Sequence, residues 1–178
     1  MRKILFILVM VLSFSSVYSA PSMYNVQELI AKTGKSTLIT DELQNLIDTC
    51  SAGGGGTIYF PAGDYLTGSI VLKNNTFLEL GPGATLYGST DLNDYPEHEK
   101  GQSLIYAQGA HNFGIIGQGT LDGNGDFFWR GKERPYNRPD RFILFYDCQN
   151  IRINDITMLN SPNWNLELLN CDFAWING

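Results

Sequence analysis

The chain has 178 residues, 43% of them hydrophobic and 17% charged, and 12 Lys+Arg against 18 Asp+Glu give a net charge of −6. So acidic a chain is a poor general binder of nucleic acid, an affinity that comes mostly from Lys and Arg meeting phosphates, and its apolar content argues against disorder. Nineteen glycines and 12% aromatics favour a turn-rich β fold, while cysteines at 50, 148 and 171, with no C-x-x-C spacing, frame neither a zinc site nor a disulfide scaffold.

Residues 1–19 read as a secretory signal peptide: Arg2 and Lys3 precede the apolar run Ile4–Leu12, and a small, polar stretch follows, with Val17 and Ser19 at the recognition positions for cleavage. The apolar run is too short to span a bilayer, so no membrane anchor is expected. Cleavage leaves 10 basic residues against 18 acidic ones, a net −8. A secreted or periplasmic protein is expected, one whose substrates are extracellular polymers. Residues 20–38 are a lead-in, and residues 39–178 are expected to form one domain.

Leu43, Leu46, Ile47 and Cys50 recur at helical spacing, which predicts a helix over Asp41–Cys50 with Thr40 as N-cap and the run Gly53–Gly56 as its stop. Short strands follow, separated by Gly, Asn, Asp and Pro: Thr57–Phe60, Tyr65–Leu72, Thr76–Leu80, Ala84–Tyr87, Asn112–Ile116, Phe142–Tyr146, Ile151–Ile153 and Asn165–Leu169. No helix-length amphipathic stretch separates them, which excludes a doubly wound α/β sheet.

The strands repeat. Cys148, Ile153 and Asn154 return as Cys171, Ile176 and Asn177 at an offset of 23, and Asn112, Phe113 and Ile115 anticipate Asn150, Ile151 and Ile153 at 38, one repeat plus an insertion. Self-similarity at this period marks a solenoid whose units are too small to bury their own apolar faces. With strands as the repeating element, the expected fold is all-β, a parallel β-helix with ladders of Ile, Leu, Val and Phe inside. Cys148 and Cys171 become stacked neighbours, read first as a buried thiol ladder, with a disulfide left open for an exported protein. The helix would cap the N-terminal end of the stack. The sequence stops in what reads as the middle of a coil, so the β-helix is expected to be incomplete at its C-terminus and the chain to be the front portion of a longer protein.

Between Gly117 and Phe142 lies an insertion in which Arg130, Lys132, Arg134, Arg138 and Arg141 outweigh Glu133 and Asp140, interleaved with Phe127, Phe128, Trp129 and Tyr136. Aromatic planes beside guanidinium forks suit an anionic polysaccharide; the plainer alternative is a solvated loop whose aromatics cover the flank. Three other patterns fail. Gly34-Lys35-Ser36 lacks the upstream glycine of a phosphate loop, and Gly114, Gly117 and Gly119 lack the helix a dinucleotide site needs. Asp122, Asn124, Asp126 and Glu133 have EF-hand spacing, but Phe127 occupies the obligatory glycine position. His98 and His111 have no Ser or Cys partner at a telling spacing and are expected at the surface.

The run Gly53–Leu72, then Leu78–Ser89, Gly117-Gln-Gly-Thr-Leu-Asp-Gly-Asn-Gly125 with Trp129, Arg138-Pro139, Cys148–Ile153 and Asn160-Ser-Pro-Asn-Trp164 together resemble the opening of glycoside hydrolase family 28, which includes polygalacturonases. The resemblance implies a right-handed β-helix, a pectin or polygalacturonate substrate, inverting hydrolysis of α-1,4-galacturonosyl linkages and no cofactor or metal. It also implies a monomer when full length, with Trp129, Arg138 and Trp164 as substrate contacts. The family's Asn-Thr-Asp, Asp-Asp, Gly-His-Gly and Arg-Ile-Lys motifs are absent from the 178 residues. No residue is therefore assigned as catalytic, the catalytic groups are expected downstream of Gly178, and the chain alone is expected to be inactive. Asp122-Gly-Asn-Gly reads as a turn. Two alternatives remain: a pectate or pectin lyase on the same fold, often calcium-dependent, and a non-catalytic carbohydrate-binding or inactive fragment.

Overall fold

The computed structural model describes residues 22–130 and 137–178. The expected signal peptide and the insertion residues Lys132, Glu133, Arg134 and Tyr136 lie outside them.

A strand β1 (Ser22–Asn25) leads into a one-turn helix α1 (Val26–Leu29), and a longer helix α2 (Thr40–Ala52) precedes the coils. The first coil is β2 (Gly56–Phe60), β3 (Gly63–Thr67) and β4 (Ile70–Val71). The second is β5 (Thr76–Leu80), β6 (Ala84–Gly88) and β7 (Ser103–Gln108). The third is β8 (His111–Gly117), β9 (Thr120–Asp122) and β10 (Arg141–Tyr146), with a short helix α3 (Gly125–Trp129) between the last two. Then come β11 (Gln149–Asn154), β12 (Thr157–Leu159), β13 (Trp164–Leu169) and β14 (Asp172–Asn177).

β1 pairs with β2, and from β2 onward each strand pairs with the third strand after it, one coil away, always in parallel. The three sheets run β1-β2-β5-β8-β11-β14, β4-β7-β10-β13 and β3-β6-β9-β12. This is a right-handed parallel β-helix, the hand that parallel crossovers take almost without exception. The repeats fall in the expected register. Gln149 pairs with Asp172 at an offset of 23 and with His111 at 38. One interior row runs Ile58, Leu78, Ile115, Ile153, Ile176 across five coils. Another runs Ile70, Ile105, Ile143, Leu166. Their buried members contribute about 1.5–3 kcal/mol each by leaving water. At the corner before the interior strands, Asn75, Asn112 and Asn150 all adopt left-handed backbone and join amide to amide, Asn150 to Asn112 at 3.0 Å and Asn112 to Asn75 at 3.2 Å. Asparagine tolerates that backbone better than most residues.

Helix α2 covers the N-terminal end, burying Leu43, Ile47 and Cys50 completely, with Leu46 half-buried. Among the described residues, two more α-helices, α1 and α3, accompany it. Thr40 begins the helix rather than capping it. Ile39 holds the cap position without a side-chain bond, and the Thr40 hydroxyl instead accepts from the Gly68 N–H at 2.7 Å. The expected strand Tyr65–Leu72 is two strands, β3 and β4, bent at Gly68, where a Cβ would lie 2.7 Å from that of Asp94. Strand β7 has no alternating pattern, because five of its six residues are buried and the His98 ring lies on Tyr106. Cys148 is buried and Cys171 half-buried, both as free thiols in adjacent coils, and burial pushes the Cys148 thiol up to about 11.

Candidate functional site

The site is built where β9 turns toward β10 and, one coil later, β12 turns toward β13. Asp122 ends β9, and its carboxylate accepts the Asn124 N–H at 2.9 Å, closing the expected Asp-Gly-Asn-Gly turn. Asn124 sits in left-handed backbone, and its amide donates to Gly88 O at 2.7 Å, which pins the turn to the coil below. From the coil above, the Asn160 amide spans both Asp122 oxygens at 3.1 Å each, and the Gly125 N–H donates to Asn160 O at 2.7 Å. A Cβ at Gly123 would lie 2.7 Å from Asn160 O and one at Gly125 would lie 2.6 Å from it, so both glycines permit the close approach. Asp122 thus ties two coils together.

This tie brings the three expected contact residues onto touching segments. Trp129 ends α3, which starts at Gly125, and is 42% exposed; Trp164 opens β13 and is 66% exposed. Arg138, half-buried, donates to Asn163 Oδ1 at 3.2 Å, next to Trp164. Arg138 and Asn163 line a cleft of about 450 Å³ with Leu92, Gln102, Asn137 and Asp140, within the size range of sugar-sized ligand sites. Asp140 accepts the Gln102 N–H at 3.0 Å, fixing the cleft floor to β7.

Two cations of the insertion have acidic partners among the described residues. Arg130 pairs with Asp126 while its side chain stays 73% exposed, and Arg141, partly buried, pairs with Glu167 of the next coil. The aromatics do not share one role: Phe128 is 1% exposed and packs edge-on against Tyr95, whereas Phe127 and Trp129 face solvent. Gln102 and Asn163 were not singled out by sequence. Asn163 lies within a recognisable motif, but Gln102 comes from a preceding coil and carries no local signal.

A second pair of adjoining clefts, of about 720 and 400 Å³, shares Val71, Lys73 and His98. His98 is half-buried rather than at the surface; its ring stacks on Tyr106 at 4.1 Å, its Nε2 lies 3.0 Å from Ser69 Oγ, and burial lowers its pKa. His111 is exposed as expected. Asp41, Glu42, Asp48 and Asp94 surround the larger cleft against the single cation Lys73, an arrangement that repels a polyanion.

Glycosyl hydrolases family 28, as a family model, matches residues 50–177. The chain belongs to that family. It is 33% identical over 151 residues to a protein named "probable polygalacturonase" from Vitis vinifera, covering 73% of this chain and 30% of the relative. It is 35% identical over 124 residues to an exo-poly-alpha-D-galacturonosidase from Dickeya chrysanthemi, covering 60% of this chain and 20% of the relative. A family 28 exopolygalacturonase from Yersinia enterocolitica superimposes with a TM-score of 0.75 at 22% identity, over 90% of this chain and 38% of that one, which shows the shared β-helix. The chain spans a third or less of the length of the two sequence relatives.

Proposed function

We propose that these residues are the front portion of an exported hydrolase that cleaves α-1,4-galacturonosyl linkages in pectin with inversion. In that chemistry one carboxylic acid protonates the leaving oxygen while a carboxylate activates water from the opposite side of the sugar. No such pair stands in the site described. Asp122 is held by Asn160 and Asn124, Asp126 by Arg130, and Asp140 by Gln102. The reading assigns this chain substrate holding: Arg138 as partner to a galacturonate carboxylate, and Trp129 and Trp164 as flat apolar surfaces for sugar rings. The observation that carries it is the contact between the Asp122–Gly125 turn and the Asn160–Trp164 segment, two stretches the family resemblance singled out independently. A secreted or periplasmic location agrees with a polymeric substrate and with the N-terminal sequence.

The test is affinity electrophoresis of the 178-residue chain in gels containing polygalacturonate or neutral galactan, with reducing ends measured in parallel. Retardation by polygalacturonate alone, without release of reducing ends, is expected. Arg138→Ala and Trp164→Ala should each weaken retention roughly tenfold, about 1.4 kcal/mol. Equal mobility in both gels would overturn the reading, and so would turnover of the polymer by the chain itself.

A further inference from the structure

The outer face of the long sheet holds a second arrangement of side chains, remote in the fold from the Asp122–Asn160 tie. Its outward positions in one row are Phe77 on β5, Gly114 on β8, Arg152 on β11 and Trp175 on β14, in register across consecutive coils. At a strand spacing of about 4.8 Å, Phe77 and Trp175 stand about 14 Å apart with Arg152 between them. Gly114 leaves a bare step in the row. A Cβ there would collide with the Arg152 carbonyl, so the step is imposed by the close approach of the two backbones. Phe77, Arg152 and Trp175, together with Asn112 and Asn150 of the amide ladder, line a groove of about 360 Å³. Trp175 is 49% exposed, and Arg152 is exposed with no protein carboxylate paired to it among the described residues.

The geometry points to a second carbohydrate-binding platform on this face, specific for a carboxylated sugar chain. Arg152 supplies a planar fork to one carboxylate, and Trp175 and Phe77 supply rigid apolar surface on either side of it. Asn150 donates to Asn112 and Asn112 to Asn75, and the hydrogen-bonding positions these amides keep beyond the ladder are available to sugar hydroxyls in the groove. The ligand's charge is selected locally, by the exposed Arg152 guanidinium, which is in none of the ion pairs among the described residues and whose planar fork matches a carboxylate. For the ligand's class the inference rests on the galacturonan reading above. It adds a site on a different sheet from the one that carries the Asp122–Asn160 tie.

The chain has three tryptophans, so Trp129→Phe/Trp164→Phe leaves Trp175 as the sole reporter. Trigalacturonate should change Trp175 emission saturably, Arg152→Gln should weaken that response about tenfold, and maltotriose at equal concentration should leave it unchanged. No emission change, while the unsubstituted chain is still retarded by polygalacturonate, would overturn the platform and leave the galacturonan reading intact. An equal response to maltotriose, or in Arg152→Gln, would overturn the assignment of carboxylate recognition to Arg152. If the unsubstituted chain is not retarded and Trp175 is silent, both readings fall.

Discussion

Phe145→Ala is expected to lower the free energy of unfolding by about 3–5 kcal/mol. Phe145 is fully buried, lies in register between Ala107 of the coil before and Leu168 of the coil after, and meets Phe113 edge-on at 4.9 Å. Its small neighbour Ala107 cannot grow into the space left by the ring, and strands held on both sides by hydrogen bonds cannot close over it. The cavity therefore persists, and its cost adds to the lost transfer energy. Single domains are stable by only about 5–15 kcal/mol, so a large fraction of that stability would be lost. Urea unfolding followed by circular dichroism measures it, and a change below about 1 kcal/mol would mean that the ring does not fill the space between these sheets.

Gly125→Val is expected to have the largest effect on binding. The Gly125 Cα faces the Asn160 and Ser161 carbonyls, and its N–H donates to Asn160 O. A branched side chain must drive the start of α3 away from the Asn160–Trp164 segment, breaking that bond and shifting Trp129 at the other end of α3. Overpacking of this kind costs about 1–3 kcal/mol in stability. The loss in polygalacturonate retention should be larger than the tenfold effect of either single contact residue, since positioning errors of about 1 Å cost on the order of a hundredfold where geometry matters. Electrophoresis of the folded variant checks this. Retention equal to that of the unsubstituted chain would show that the turn and the segment do not position the contacts.

Much of this arrangement was legible in the sequence because a solenoid writes its register twice. Cys148, Ile153 and Asn154 recur 23 residues on, and the backbone pairs Gln149 with Asp172 at that same offset. Asn112 and Asn150 proved to be neighbours because a left-handed corner selects the same residue in each coil. Strand β7 was illegible for the converse reason: covered on both sides, Ser103–Gln108 shows no polar alternation. The local cluster of cations was visible, but the acidic partners of two of them were only half so. Arg130 and Asp126 stand four residues apart, whereas Arg141 finds Glu167 only through the winding of one coil onto the next. His98 looked unpartnered because Ser69 and Tyr106 reach it from two different coils.

The winding itself is tested most directly by nuclear Overhauser contacts among isoleucine δ1 methyls in a selectively labelled chain. Strands about 4.8 Å apart place Ile115 next to Ile153 and Ile153 next to Ile176, with Ile115 and Ile176 two spacings apart. Strong cross-peaks for the first two pairs, with a weak or missing one for the third, are the expected result. Absence of the Ile115–Ile153 and Ile153–Ile176 contacts, with cross-peaks joining strands of opposite direction instead, would contradict the stacked coils and the site built on them.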